Sequence, residues 1–521
     1  MSRNDVEPLH ALLSKMTPAE REAASAFIAG FNRKYGSYEP KTLKLLQCIS
    51  DNTNGDLPDG FSLKQSLFPE MTEVAFTKLL ARLREKLLES WIIDVNLDRK
   101  DRFAPSWVIR QKVRKRIIMV ELLVNQGLFS EAKHLIRKTE KDCAAHALYD
   151  QLIALKHIQY ILISQQQGSE FAEDIFKEMP LLQAKDQVKR RAEMAFYRHQ
   201  FYGRNKASAK LPLQQLKQDI TDIESNPGLP SVPTAQYFLL SLKTLYHEKS
   251  GQYAKMIPVI QNMLQLFSDE PSVHLPVRRA NAHLQLFTAH CFLGQFQEAL
   301  AHAESAGAII NNQSKASVEI KKVRFYPLLH LNRLQEAEAL LNEVSAKAEL
   351  LHGENQVYLE KIVYLRAVLA FKQKSYAQAA RLLASLSHLP DEKDGWNVGI
   401  RLLQIQNRIE KHLFDAADTQ IANFKRHLER IAKSEKLAKR AVIILRVLHD
   451  LAANAFHFSQ TLQRQQPLLD LLKDNAEEYR WDPFGAEVIP FDQWFMDMVV
   501  QENQHAGRPA TKRPTDALVS R

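Results

Sequence analysis

Cysteine is scarce: Cys48, Cys143 and Cys291 are the only three in 521 residues, far apart and without a C-x-x-C spacing. That excludes a disulfide framework and a cysteine metal site, and it fits a reducing compartment. Glycine occupies only 16 positions, too few for the many tight turns of an all-β chain. No stretch approaches the roughly 18 uncharged apolar residues of a membrane span. The N-terminus carries Arg3, Asp5 and Glu7, which interrupt the apolar core of a secretory signal. The chain therefore reads as cytoplasmic. Also missing are the phosphate loop G-x-x-x-x-G-K-[ST], G-x-G-x-x-G, H-E-x-x-H and G-x-S-x-G. Phosphate cradling, zinc hydrolysis and the usual nucleophile elbow lack their geometry, so no catalytic residue, cofactor or metal is assigned and an enzyme is disfavoured.

What is present is an apolar share of 45% with 25% charged residues, the composition of a folded chain. At this length it must divide into domains or grow by repetition. The formal charge of +10 is a mild excess of 70 basic over 60 acidic residues. Much of that excess gathers between residues 81 and 139, where 14 Lys or Arg face 7 Asp or Glu. That stretch is the first place to look for an anionic partner.

A period runs through the chain. A short turn, a large residue and an alanine three positions on recur as Gly127, Phe129, Ala132; Gly294, Phe296, Ala299; Leu334, Ala337; Tyr376, Ala379; and Phe414, Ala417. Phe171 after Gly168 and Tyr253 after Gly251 are weaker members, and from Tyr253 onward the steps are 43, 38, 42 and 38 residues. Such a unit is a helical hairpin: the large residue fills the turn and the alanine lets the second helix approach the first. One hairpin does not cover its own apolar stripe, so neighbours stack into a solenoid. Apolar spacings of three and four over 360–371 and 376–389 give the two arms of one unit, and Pro390 ends the second.

These residues resemble the tetratricopeptide repeat family. In the unit His283 to Ala306, Gly294 matches the turn glycine, Phe296 the turn aromatic, Ala299 the central alanine and Ala306 the late small residue. The chain departs from the family in its longer spacing and in lacking the early tryptophan. With its head and its terminal F-x-x-W, the layout is also similar to uncharacterised bacterial repeat proteins, a likeness that implies a fold and no activity. The fold class expected is all-α: a right-handed solenoid of helical hairpins with a small N-terminal head.

Four regions follow: a head at 1–108, a solenoid at 109–430, capping helices at 431–500 and a disordered tail at 501–521. Thr17-Pro18-Ala19-Glu20 reads as a capping box opening a helix through about Asn32. Helices near 40–50 and 73–89 and a two-stranded hairpin over 91–107 would give the order of a winged helix-turn-helix, with Arg82 and Lys86 facing DNA. Phe491 and Trp494 should dock as an apolar plug.

In the resembled family, partners lie in a concave groove lined by the first helix of each hairpin. By register that groove contains Lys322, Tyr326, Tyr364, Phe371 and Lys372, suited to an extended or helical segment. Arg110, Lys112, Arg114, Lys115 and Arg116 form a run that would contact an anion or nucleic acid. The simpler reading of that run is a solvated face. Lys189, Arg190, Arg191 and Arg198 interleave with Phe196, Tyr197 and Phe201, a mixture used for stacking bases and more often for core packing. The seven basic residues from Lys425 to Arg440 read as a charged exterior. His283, His290 and His302 lie close in sequence without a carboxylate or thiol at ligand spacing, and read as packing residues. The function expected is a scaffold or adaptor for a protein or peptide partner; the alternative is a DNA-binding regulator whose solenoid is the sensor.

Overall fold

A computed structural model describes residues 6–32, 41–51, 60–90, 105–201, 213–310, 315–352, 356–386, 396–432, 439–473 and 479–506. Among the described residues every regular element is helical, with 23 α-helices and no strand. The chain divides into two compact units, Met1–Asp186 and Gln187–Arg521.

In the first unit, α1 (Glu7–Lys15), α2 (Pro18–Asn32), α3 (Lys41–Asp51), α4 (Gly60–Leu67) and α5 (Glu73–Ser90) close on a core that includes Leu13, Ile28, Leu46, Phe76 and Leu83. The capping box at α2 is formed as expected: the Thr17 N–H donates to the Glu20 carboxylate at 2.7 Å and the Glu20 N–H to Thr17 Oγ1 at 3.3 Å. Such a cap contributes about 1 kcal/mol. Residues 91–104 of the expected wing lie outside the described residues, and 105–107 open a helix instead. That helix is α6 (Pro105–Asn125), followed by α7 (Phe129–Ala145), α8 (Tyr149–Gln167) and α9 (Glu173–Phe201), inside which the unit boundary falls. Phe171, expected as a turn plug, sits in a 3₁₀ turn and is 64% exposed.

The second unit continues with α10 (Leu213–Glu224) and then six hairpins. They are α11 (Pro233–Lys249) with α12 (Tyr253–Asp269), α13 (Pro276–Phe292) with α14 (Phe296–Ile309), and α15 (Lys315–His330) with α16 (Leu334–His352). Next come α17 (Gln356–Lys372) with α18 (Tyr376–Ser385), α19 (Trp396–Glu410) with α20 (Phe414–Ile431), and α21 (Lys439–Ala453) with α22 (Phe458–Leu472). Helix α23 (Phe491–Ala506) packs on α22. Each helix packs on the next in sequence, and the first helices α17 and α19 also meet. This is the sequential stacking that a repeat of hairpins requires.

The turns show why the pattern works. Each first helix ends in a left-handed residue: Gly251 and Gly294 at φ 68° and 72°, then Asn332, Lys374 and His412 at 58°, 59° and 54°. The following N–H bonds back to the carbonyl five residues earlier, as in Gln295 to His290 at 2.9 Å and Ser375 to Ala370 at 2.8 Å. That closes the first helix and redirects the chain. The alanines three residues past the large turn residue, Ala299, Ala337, Ala379 and Ala417, are all 0% exposed, so the helices meet there with no room for a larger side chain. The turn aromatic also joins one hairpin to the next. Tyr253 stacks on Phe292 at 4.1 Å, Phe296 on His330 at 4.6 Å, and Phe414 on Phe456 at 4.8 Å.

A face of first helices and the segment that fills it

The first helices α13, α15, α17, α19 and α21 share a face, and the chain itself covers it. Between α22 and α23 the backbone of residues 479–490 is irregular, because Pro483, Gly485 and Pro490 deny it helix. Its side chains reach helix after helix. The Arg480 guanidinium lies 5.2 Å from the Tyr253 ring and 5.5 Å from the Phe292 ring. Trp481 meets His330 edge-on at 5.1 Å. Phe484 packs against Phe287 at 5.6 Å, Phe292 at 6.0 Å and Tyr326 at 5.5 Å. The Tyr364 hydroxyl donates to the Ala486 carbonyl at 2.6 Å.

Two glycines make room for this approach. Gly399 sits inside α19, and a Cβ there would overlap the Ala486 backbone. At Gly251 a Cβ would collide with the Arg480 guanidinium. An isolated glycine within a helical pattern marks close approach by another backbone.

Arg440 fixes the base of the segment. Its Nε and Nη2 donate to the two Glu487 oxygens at 2.7 Å each, and Nη2 also donates to Asp492 at 2.8 Å. Its Nη1 donates to the Leu472 carbonyl at 2.7 Å and the Tyr479 carbonyl at 2.9 Å. All five guanidinium protons are used, the condition under which burying a charge is tolerated. Burial pulls the Arg440 pKa down, but the bonds and charges of Glu487 and Asp492 outweigh it and hold the group above its ordinary value. Glu487 in addition accepts the Phe491 N–H at 2.8 Å, capping the first turn of α23. Phe491 and Trp494 are buried at 0% and 4%, and the Trp494 indole N–H donates to Glu410 at 3.0 Å.

The sequence-predicted groove residues fall on this picture unevenly. Tyr326 and Tyr364 lie on the face, are 4% and 2% exposed, and both touch the segment. Burial raises both of their hydroxyl pKa values, so both stay neutral, and Tyr364 serves as a donor. Phe371 is 5% exposed and packs in the turn against Tyr376 at 5.6 Å. Lys322 pairs with Glu319 at 2.6 Å and lies 4.6 Å from the Tyr358 ring, while Lys372 is half-buried beside His330. An open groove lined by all five is therefore not what the structure presents.

The basic candidates are dispersed in role. Arg82 and Arg114 are exposed, Lys86 pairs with Glu89 at 2.7 Å, and Arg116 pairs with Asp142. Arg110, Lys112 and Lys115 are half-buried along α6. Farther along, Arg191 pairs with Asp222 at 3.1 Å, and Phe196 packs on Phe238 at 5.4 Å, while Tyr197 is 47% exposed. The stretch from Lys425 to Arg440, expected as charged exterior, contains at its end the buried clamp, because two carboxylates and two carbonyls far along the chain converge on it.

The three histidines do meet. His283 and His302 place their Nδ1 atoms 3.2 Å apart, and the His290 and His302 rings lie 5.2 Å apart. Burial, with the charges of His290 and His283, pushes His302 down to about 4, which fits neutral packing partners. Among the described residues no group of three or more ligating side chains could hold a metal ion, and no helix is long and apolar enough to cross a membrane.

The segment at 479–490 escaped the sequence reading. Its signals were Trp481 and Phe484 set among Pro483, Gly485 and Pro490, and the lone glycine at 399.

No family model matches the chain, and no curated protein matches it. Among solved structures, the apo form of RapI is similar at 10% identity and a TM-score of 0.38, covering 76% of this chain and 98% of that one. A Rap protein complexed with competence and sporulation factor is similar at 14% identity and a TM-score of 0.39, covering 77% of this chain and 99% of that one.

Proposed function

We propose that the chain is a protein-binding adaptor of the tetratricopeptide-like kind, which holds an extended segment of a partner on the face of its first helices. One observation carries this reading. That face already holds a non-helical stretch of polypeptide, Arg480 to Ala486, through aromatic pockets, a tyrosine hydroxyl aimed at a backbone carbonyl and a glycine-lined approach. These are the means by which proteins recognise extended peptides: pockets for side chains and hydrogen bonds for the main chain. Burial pushes the thiols of Cys143 and Cys291 up to about 12 and keeps them inert packing groups.

Affinity purification from the native cell, followed by reconstitution with the purified partner, tests the reading. The partner should bind the face of first helices in the full-length chain, so that a bulky substitution there, Gly399→Trp, abolishes binding while Arg114→Glu leaves it unchanged. Binding that follows Arg114 and ignores Gly399 would contradict it.

A further inference from the structure

The segment between α22 and α23 leaves and re-enters the helical face at one point. Arg440 bonds the Tyr479 carbonyl where the segment starts and the Glu487 carboxylate where it returns. Residues 480–486 are thus a loop whose two ends share one side chain. The loop also carries its own internal bonds. The Trp481 indole N–H donates to the Glu487 carbonyl at 2.7 Å, and Asp482 accepts the Phe484 N–H at 2.9 Å and the Gly485 N–H at 3.0 Å.

Its attachment to the helices is of a different kind. The tip is held by ring contacts of Arg480, Trp481 and Phe484, each individually small. That suffices for a tethered loop, whose effective concentration is high, yet is weak enough for exchange. Pro483 and Ala486 are buried, Arg480, Trp481, Phe484 and Gly485 are half-buried and Asp482 is exposed, so a competitor reaches the tip from the side of Arg480 to Asp482.

Resting on the adaptor reading above, we propose that residues 480–486 are a built-in occupant of the partner site. The partner displaces them with an extended segment bearing a cation, an aromatic residue directly after it, and a second aromatic three positions further on. The cation takes the place of Arg480 beside the Tyr253 and Phe292 rings, over the bare backbone of Gly251. The second aromatic takes the place of Phe484 between Phe287 and Tyr326. The loop lowers the apparent affinity by the fraction of molecules in which it is seated.

The test uses the full-length chain and a labelled peptide copying residues 479–487, followed by fluorescence anisotropy. Two variants unseat the loop, Phe484→Ala and Arg480→Ala, each by removing tip contacts. Each should bind the peptide at least about tenfold more tightly than the unmodified chain. A peptide in which Arg480→Glu and Phe484→Ala are combined should not bind. Trypsin should cut after Arg480 faster in Phe484→Ala than in the unmodified chain. Arg480→Ala, which removes a half-buried side chain, carries the test if Phe484→Ala melts early. Variants that melt like the parent but bind the peptide no more tightly overturn the proposal. If a purified partner binds all forms equally while the peptide binds none, the loop is not the occupant although the adaptor reading stands. If the peptide exchanges but no partner is retained by any form, the adaptor reading falls and the loop exchange stands.

Discussion

Arg480–Phe484 and Glu487–Phe491 are neighbours in sequence and opposite in how they are held. The first stretch is half-buried and meets the helices through rings, whereas the second is nearly all buried and is tied by a fully satisfied guanidinium. Ring contacts are individually small, while a buried ion pair that loses one partner leaves an uncompensated charge. The difference teaches that one short segment combines a permanent anchor with an exchangeable tip.

The anchor gives the largest expected effect. Arg440→Met leaves Glu487 and Asp492 buried without their cation and should cost about 3–5 kcal/mol, read as a lowered midpoint in urea denaturation. A midpoint unchanged from the parent would remove the anchor from the account.

Acid probes the tip. His330, between Phe296 and Trp481, is pushed down to about 4 by burial, then by the charge of Lys372, against the opposing effect of a bond with the Val488 backbone. The unfolded chain takes up this proton near the ordinary value of 6.5 and the folded chain resists it. Stability is therefore complete above that value and is lost as pH falls toward 4, by on the order of 2 kcal/mol. His302 acts with the same sign. Thermal melts at about pH 7 and about pH 5 should show the loss, and His330→Phe should reduce it; an unaltered pH dependence in that variant would assign the effect elsewhere.

Tyr364→Phe removes the bond to Ala486, where tip and anchor join, and should cost about 1 kcal/mol. The loss should appear as faster tryptic cleavage after Arg480, with α23 unaffected. Smallest is a control away from the segment. Lys374 occupies a left-handed turn position at φ 59° that glycine fills in earlier hairpins, so Lys374→Gly should raise the melting temperature by the equivalent of roughly 0.5 kcal/mol without altering peptide binding.

The hairpins were legible because their cause is local. A left-handed residue, an aromatic two positions on and an alanine after it dictate a turn and a close helix crossing, and Gly294, Phe296 and Ala299 display all three. The hairpin of α21 and α22 was less visible, since Thr461 stands where alanine does elsewhere and Ala455 and Phe456 supply the left-handed turn. Register alone placed Tyr326 and Tyr364 on the face of first helices, because first helices repeat their orientation. What covers that face was not legible. Arg440 lies 47 residues from Glu487 and Phe484 lies 158 from Tyr326 in sequence, and no periodicity links them. Only glycine at 399 hinted that another backbone passes there.

Native-state hydrogen exchange on the full-length chain tests the central claim most directly. Amides of residues 480–486 should exchange at least about a hundredfold faster than those of α19 and α23, through an opening that leaves both helices protected. Equal protection of all three, lost only in global unfolding, would show that the loop is a fixed part of the core and contradict the account.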